Sequence, residues 1–265
     1  MSTRVYLCYK NEVLLIWEVE MRAFFLLFAA QCFSAPLWAA DLRAYTEEFP
    51  PFNYTEQGQH KGYANAILDV VSSKAGLTIE RVIFPWTRSV ASNQSDRNSV
   101  LFTTMRTPER EKQYRWVGPI DGCDVVALKL KKRQDIRIST AKDLNQYVIA
   151  FSKGAADEEI LKKIGVPTNK LVGVSSTGNA LPMLYGDRVD LIAGVYLSHA
   201  FTAKKNNLDS TQLEVAYVLE KGFGCYFAFN PKVDNQLFER FQTAFIEMQK
   251  SGDLEALRLK QLSSR

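Results

Sequence analysis

Residues 103–111 read TTMRTPERE. Arg106 and Arg110 lie four apart, the spacing of one helical turn, so a helix would place them on one face. Pro108 stands between them, and proline is accepted only in the first turn of a helix. The residues leading in, SVLFTT (99–104), have the apolar and β-branched character of a strand. The motif therefore predicts a strand end, a tight turn and a helix start. Two arginines at such a junction either hold an anion or form a solvated cluster with Glu109 and Glu111, and residue types alone leave both open.

The same alternation runs along the chain. LRAY (42–45), TIERVI (78–83), DVVALKL (124–130), YVIAFS (147–152), LVGVSS (171–176), DLIAGV (190–195), LEVAYVL (213–219) and CYFAFN (225–230) read as strands. FPPFNY (49–54) reads as a turn, because paired prolines cannot extend a ladder. Residues 62–77, 156–165 and 235–250 read as helices, the last with a stripe of Leu237, Phe241, Ala244, Phe245 and Met248. A final helix is expected from Asp253, as its cap, to Leu262. Strands alternating with helices predict an α/β fold with largely parallel sheets. No repeat and no low-complexity linker marks a boundary.

A net charge of +4 on 265 residues, with both signs interspersed, excludes a nucleic-acid stripe or a polybasic membrane patch. The N-terminus points to export. Met21 and Arg22 open a short basic region, Ala23–Phe33 is an apolar run too short to span a bilayer, and SAPLWAA ends in small residues. Residues 21–40 read as a signal peptide with cleavage after Ala40, and residues 1–20 as an upstream start-site artefact. Of the four cysteines, Cys8 and Cys32 precede the cut, which leaves Cys123 and Cys225 to an oxidising compartment. The two histidines, His60 and His199, have no metal-ligand spacing, so neither a metal nor a cofactor is expected.

Taken in order, FPPFNY, GQHKGYANAILDVV, PWTR, RTPERE, WVGPI, LYGDRVDLIAG and the closing FAFN…LFERFQTAFIEMQKSGDLEAL resemble the amino-acid-type extracellular solute-binding proteins, family three. The resemblance spans Asp41 to Leu262. It implies a two-lobed type II periplasmic binding protein fold, with the ligand in a cleft and two hinge crossings. Lobe one would comprise 41–120 plus 226–265 and lobe two 124–222. The crossings would be 118–124 and 221–225. They would run side by side, so Cys123 and Cys225 are expected to form a disulfide.

The resemblance also implies a site. Arg110 would grip the ligand carboxylate, a task suited to the guanidinium fork; the alternative is a surface pair with Glu109 or Glu111. Phe49 and Trp86 would sandwich the ligand's apolar part, with Phe52 in the core. Thr103 and Met105 would line the same wall, with Tyr54 and Arg88 as further neighbours. Gly154 and Ala155 lie in a loop that would offer backbone N–H groups to the carboxylate. Lys153 reads as solvated, and Arg106 as a rim charge or a second anion contact.

Two positions depart from the pattern. The acids that would hold a ligand ammonium are replaced by Thr46 and Val195, and Glu47 or Glu48 is the available substitute. The ligand is therefore expected to bear a carboxylate, with its other end open. The implied role is a monomeric periplasmic protein that delivers a small molecule to the permease of an ABC-type transporter. Alternatives are a sensor component without transport and, behind it, a cyclohexadienyl-dehydratase-like enzyme, which would need a proton-transfer group in the cleft.

Overall fold

The computed structural model describes residues 40–263. The start-site reading (1–20) and the leader reading (21–40), save Ala40, lie outside the described residues. In chain order the strands are β1 (Leu42–Thr46), β2 (Tyr54–Glu56), β3 (Gln59–Lys61), β4 (Ile79–Ile83), β5 (Ser99–Met105), β6 (Arg115–Gly122), β7 (Val125–Leu130), β8 (Ile149–Ser152), β9 (Leu171–Val174), β10 (Leu191–Gly194), β11 (Leu213–Glu220) and β12 (Gly224–Phe229). The helices are α1 (Tyr63–Ala75), α2 (Trp86–Ser95), α3 (Ala156–Ile164), α4 (Thr177–Tyr185), α5 (Tyr196–Lys205), α6 (Asn235–Ser251) and α7 (Asp253–Ser263). One five-stranded sheet has the order β4-β1-β5-β12-β6 and the other β11-β7-β10-β8-β9, while β2 and β3 form a hairpin.

Period-two alternation splits each strand between two faces. In the first sheet, Leu42, Ala44, Phe227 and Phe229 pack with Ile67, Leu68, Phe241 and Phe245 of α1 and α6. Their neighbours Tyr45 and Ala228 pack on the other face with Trp86 of α2. In the second sheet, Val125, Ala127, Ile149 and Leu191 face Ile160 and Leu161 of α3. Val126, Leu128, Ala150 and Ile192 face Leu181 and Leu184 of α4 and Ala203 of α5. Each sheet is thus sandwiched between helices, which makes two α/β lobes.

The expectation of largely parallel sheets is corrected. Within the two five-stranded sheets, antiparallel pairs (β5–β12, β6–β12, β7–β10, β7–β11) are as many as parallel ones (β1–β4, β1–β5, β8–β9, β8–β10). The strand that follows each crossing, β7 after the first and β12 after the second, runs against the other strands of its sheet, because the chain enters that lobe from the hinge side. The passages lie between β6 and β7 and between β11 and β12. They are tied by Cys123 N–H donating to Phe223 O at 2.7 Å and Gly222 N–H to Asp124 Oδ1 at 2.9 Å. Cys123 and Cys225 are disulfide-bonded, with Cα atoms 5.7 Å apart.

Two local readings also change. After Pro108 there is no α-helix but a single 3₁₀ turn at Glu111–Gln113, because residues 106–114 must both turn the chain and deliver it to β6. On α6, Phe238 rather than Leu237 belongs to the buried stripe, and its ring meets Phe229 edge-on at 5.2 Å.

Candidate functional site

The cleft encloses a cavity of about 60 Å³ lined from both lobes. Thr46, Glu47, Phe49, Trp86, Thr103, Met105 and Arg110 come from the first lobe. Ser152, Ala155, Ala156, Asp157, Thr177, Gly194 and Val195 come from the second, with Cys225 at the hinge. Most of the residues expected at the site are therefore together; Gly154, Arg106, Tyr54 and Arg88 are outside this lining.

The end of β1 and the turn after it position the first group. Asn53 Nδ2 donates to Thr46 Oγ1 at 2.9 Å and to Glu47 O at 2.7 Å, while Phe49 and Asn53 pair through their backbones. This folds the FPPFN turn back on itself. Phe52 sinks into the core at 3% exposure, and Phe49, stacked on it at 5.2 Å, faces the cavity. Glu47 is brought to the wall by the same turn, while Glu48 instead accepts from Thr55 N–H at 2.9 Å.

Thr103 holds φ 58°, a left-handed conformation that a β-branched residue adopts only when its surroundings impose it. The β5–β12 register shifts here, between Tyr226 and Ala228. Thr103 is buried at the cavity wall, and its Oγ1 has no hydrogen-bond partner among the described residues. Residue types did not reveal this strained position at the cavity wall.

The two arginines separate completely. Arg106 leaves the cavity and grips Glu111, with Nε to Oε2 at 2.7 Å and Nη2 to Oε1 at 2.5 Å. Its guanidinium also lies 5.3 Å from the Tyr226 ring centroid. Arg110 is buried, and it bonds neither Glu109 nor Glu111. It reaches across to α3 of the other lobe, where Glu159 Oε1 accepts from Nε at 2.9 Å and from Nη2 at 2.6 Å. Nη2 also donates to Gly154 O at 3.0 Å, and Trp86 Nε1 to the same oxygen at 2.8 Å. Gly154 is thus a lobe-to-lobe contact, and its φ of 72° and the close approach of Thr87 Cγ2 both suit glycine.

The expected carboxylate-binding loop is also differently used. Ser152 N–H donates to Asp157 Oδ2 at 2.9 Å and Gly154 N–H to Glu158 Oε2 at 2.6 Å. The acids of the first turn of α3 fold back on the loop that precedes them, as such acids do at a helix N-terminus. With Glu159 on Arg110, three consecutive acids occupy donors expected to face a ligand.

Carboxyl groups therefore gather at the cavity although Thr46 and Val195 are neutral. Glu47 Oε2 is sealed from solvent with no hydrogen-bond partner among the described residues. Burial pushes the Glu47 carboxyl up to about 8, and the Asp157 charge adds to the rise. Burial also pushes Asp157 up to about 7, opposed by its backbone hydrogen bonds, first that from Ser152, and by Arg110. Behind Gly194, His199 Nε2 lies 3.1 Å from Ala193 O, and burial lowers its pKa to about 4, so it is neutral. Among the described residues, no group of His, Cys, Asp and Glu is arranged to hold a metal, and no helix is long and apolar enough to cross a membrane.

Comparison with known proteins agrees with this architecture. The chain is 23% identical over 219 residues to the arginine-binding extracellular protein ArtP of Bacillus subtilis (strain 168), covering 80% of this chain and 82% of that one. A histidine kinase sensor domain with similarity to periplasmic binding proteins superposes with a TM-score of 0.75 at 20% identity, covering 84% of this chain and 96% of that one. An ancestral arginine-binding protein bound to glutamine superposes with a TM-score of 0.73 at 21% identity, covering 84% and 98%. The model of the bacterial extracellular solute-binding proteins, family 3, matches residues 42–263, and with two α/β lobes, a double crossing and a cleft between them, this chain belongs to that family.

Proposed function

We propose that the chain is a periplasmic binding protein that captures a small, amino-acid-like carboxylate in the cleft and passes it to the permease of an ABC-type transporter. The observation that carries this is Arg110, a buried guanidinium at the cavity whose fork already holds a carboxylate, that of Glu159. On this reading a ligand carboxylate displaces Glu159 when the lobes open and remains between them when they close. Phe49 and Trp86 offer the flat apolar walls, and Thr103, Met105, Ala155 and Val195 complete the lining.

A thermal-shift screen of the mature chain against the proteinogenic amino acids and amine-free acids such as succinate tests it, since a ligand that binds only the folded state raises apparent stability. Arg110→Ala is expected to weaken a carboxylate hit by about tenfold or more, the value of a charged hydrogen bond. An undiminished response would refute the role given to Arg110.

A sensor component without transport is the second reading, supported by the fold likeness to a kinase sensor domain. Ligand-dependent association with a sensor kinase instead of a permease would favour it. The dehydratase-like alternative gains a proton-transfer candidate in Asp157, which sequence reading had missed, beside Glu47; turnover of a cyclic acid by the pure protein would be its signature.

A further inference from the structure

Two carboxyl groups that approach one cavity from opposite lobes need a reason to be there. Glu47 arrives on the turn after β1 and Asp157 on the first turn of α3, and both line the one cavity of the cleft. Neither is neutralised by an ion pair. The guanidinium at this cavity, Arg110, gives its fork to Glu159. Glu158 is engaged by Lys162 at 2.6 Å and by Gly154 N–H, Glu48 by Thr55 N–H, and His199, behind Gly194, is held neutral by burial. Asp157 Oδ2 accepts from Ser152 N–H, but no cation is paired with either group, and two charges on one small cavity repel, so the pair retains a proton. Glu47 Oε2 has no partner, and one further acceptor stands ready beside the pair, the partnerless Oγ1 of the strained, 8% exposed Thr103.

We propose that Glu47 and Asp157, facing one cavity from opposite lobes, together retain one proton and accept an ammonium group of the ligand in exchange for it. This rests on the binding-protein reading above. The ammonium enters with its charge, one carboxyl O–H bond breaks, and the proton leaves to the buffer. No oxidant or reductant takes part. An ammonium has three donors, and two carboxylates with a hydroxyl are a matching set of acceptors. The pair would make the protein selective for ligands that carry a cation as well as a carboxylate, although Thr46 and Val195 are neutral.

Thermal unfolding of the ligand-free mature chain between about pH 6.5 and about pH 8.5 tests the pair. Carboxyl groups whose pKa is raised in the folded state stabilise it below their unfolded pKa, and that stability is lost as pH rises through the folded value. His199 acts in the opposite sense but only below its ordinary value of 6.5. The Tm of the wild type should therefore fall across the window, less steeply in Glu47→Gln or Asp157→Asn and least in the double variant. An equal fall in all four proteins overturns the pair.

Calorimetry with L-arginine and L-glutamine, run near neutral pH in phosphate and in Tris, tests the exchange. About one proton should be released per molecule bound, the release should vanish in the double variant, and affinity should drop about tenfold or more. Binding of either amino acid without proton release overturns the exchange while leaving the binding-protein reading intact. Should no carboxylate bind at all, that reading falls, and the unfolding experiment alone upholds or overturns the pair.

Discussion

Arg106 and Arg110 share a motif and a residue type but not a role. One is a half-exposed partner of Glu111; the other is buried and spans the cleft to Glu159. The Glu159 side chain is 34% exposed, so its pairing with Arg110 is screened by water and worth about 1 kcal/mol. If a ligand carboxylate competes for the same fork, Glu159→Gln should raise affinity for that ligand about fivefold, as read by calorimetry. A weaker affinity in this variant would mean that Glu159 helps to hold the ligand instead of competing with it.

Among the elements, α3 and α6 use acids at their starts in different ways. Asp234 caps α6 conventionally, with Oδ1 accepting from Gln236 N–H at 2.9 Å and Leu237 N–H at 3.2 Å. Asp234→Ala should lower stability by about 1 kcal/mol in chemical denaturation and leave ligand binding unchanged. Helix α3 has no side-chain cap at Ala155. Its acids instead serve the loop amides, Arg110 and the cavity. The apolar periodicity of α3 announces a helix, but nothing in it separates acids that stay in water from those that enter a cleft.

At the scale of the molecule, the chain passes between the two lobes at the paired crossings, and the Cys123–Cys225 bond sits on them. It closes a loop with a sequence separation of 102. In the chain-entropy model such a bond contributes up to about 4.7 kcal/mol. Reduction, or replacement of both cysteines by serine, should shift the denaturation midpoint down by a corresponding amount. A midpoint that does not move would mean the bond is absent in solution. Because the crossings are also linked by Cys123 N–H to Phe223 O and Gly222 N–H to Asp124 Oδ1, the hinge is a single braced unit.

Strand–helix alternation and the core face of most elements were legible in the sequence, because both depend on local periodicity, whereas the distinction of Phe49 from Phe52 and the role expected of Arg110 came only from the family resemblance. The order of motifs along the chain added the two-lobed architecture. Other features came from parts of the chain that periodicity does not relate. The antiparallel strands at the crossings follow from the chain's return between lobes. The left-handed Thr103 follows from a register shift between β5 and β12. The placing of Glu47 and Asp157 on one cavity and the bond of Arg110 to Glu159 follow from the packing of one lobe against the other. A linear pattern shows which faces are apolar, but the burial of a charge and its partner depend on what the rest of the fold brings against it.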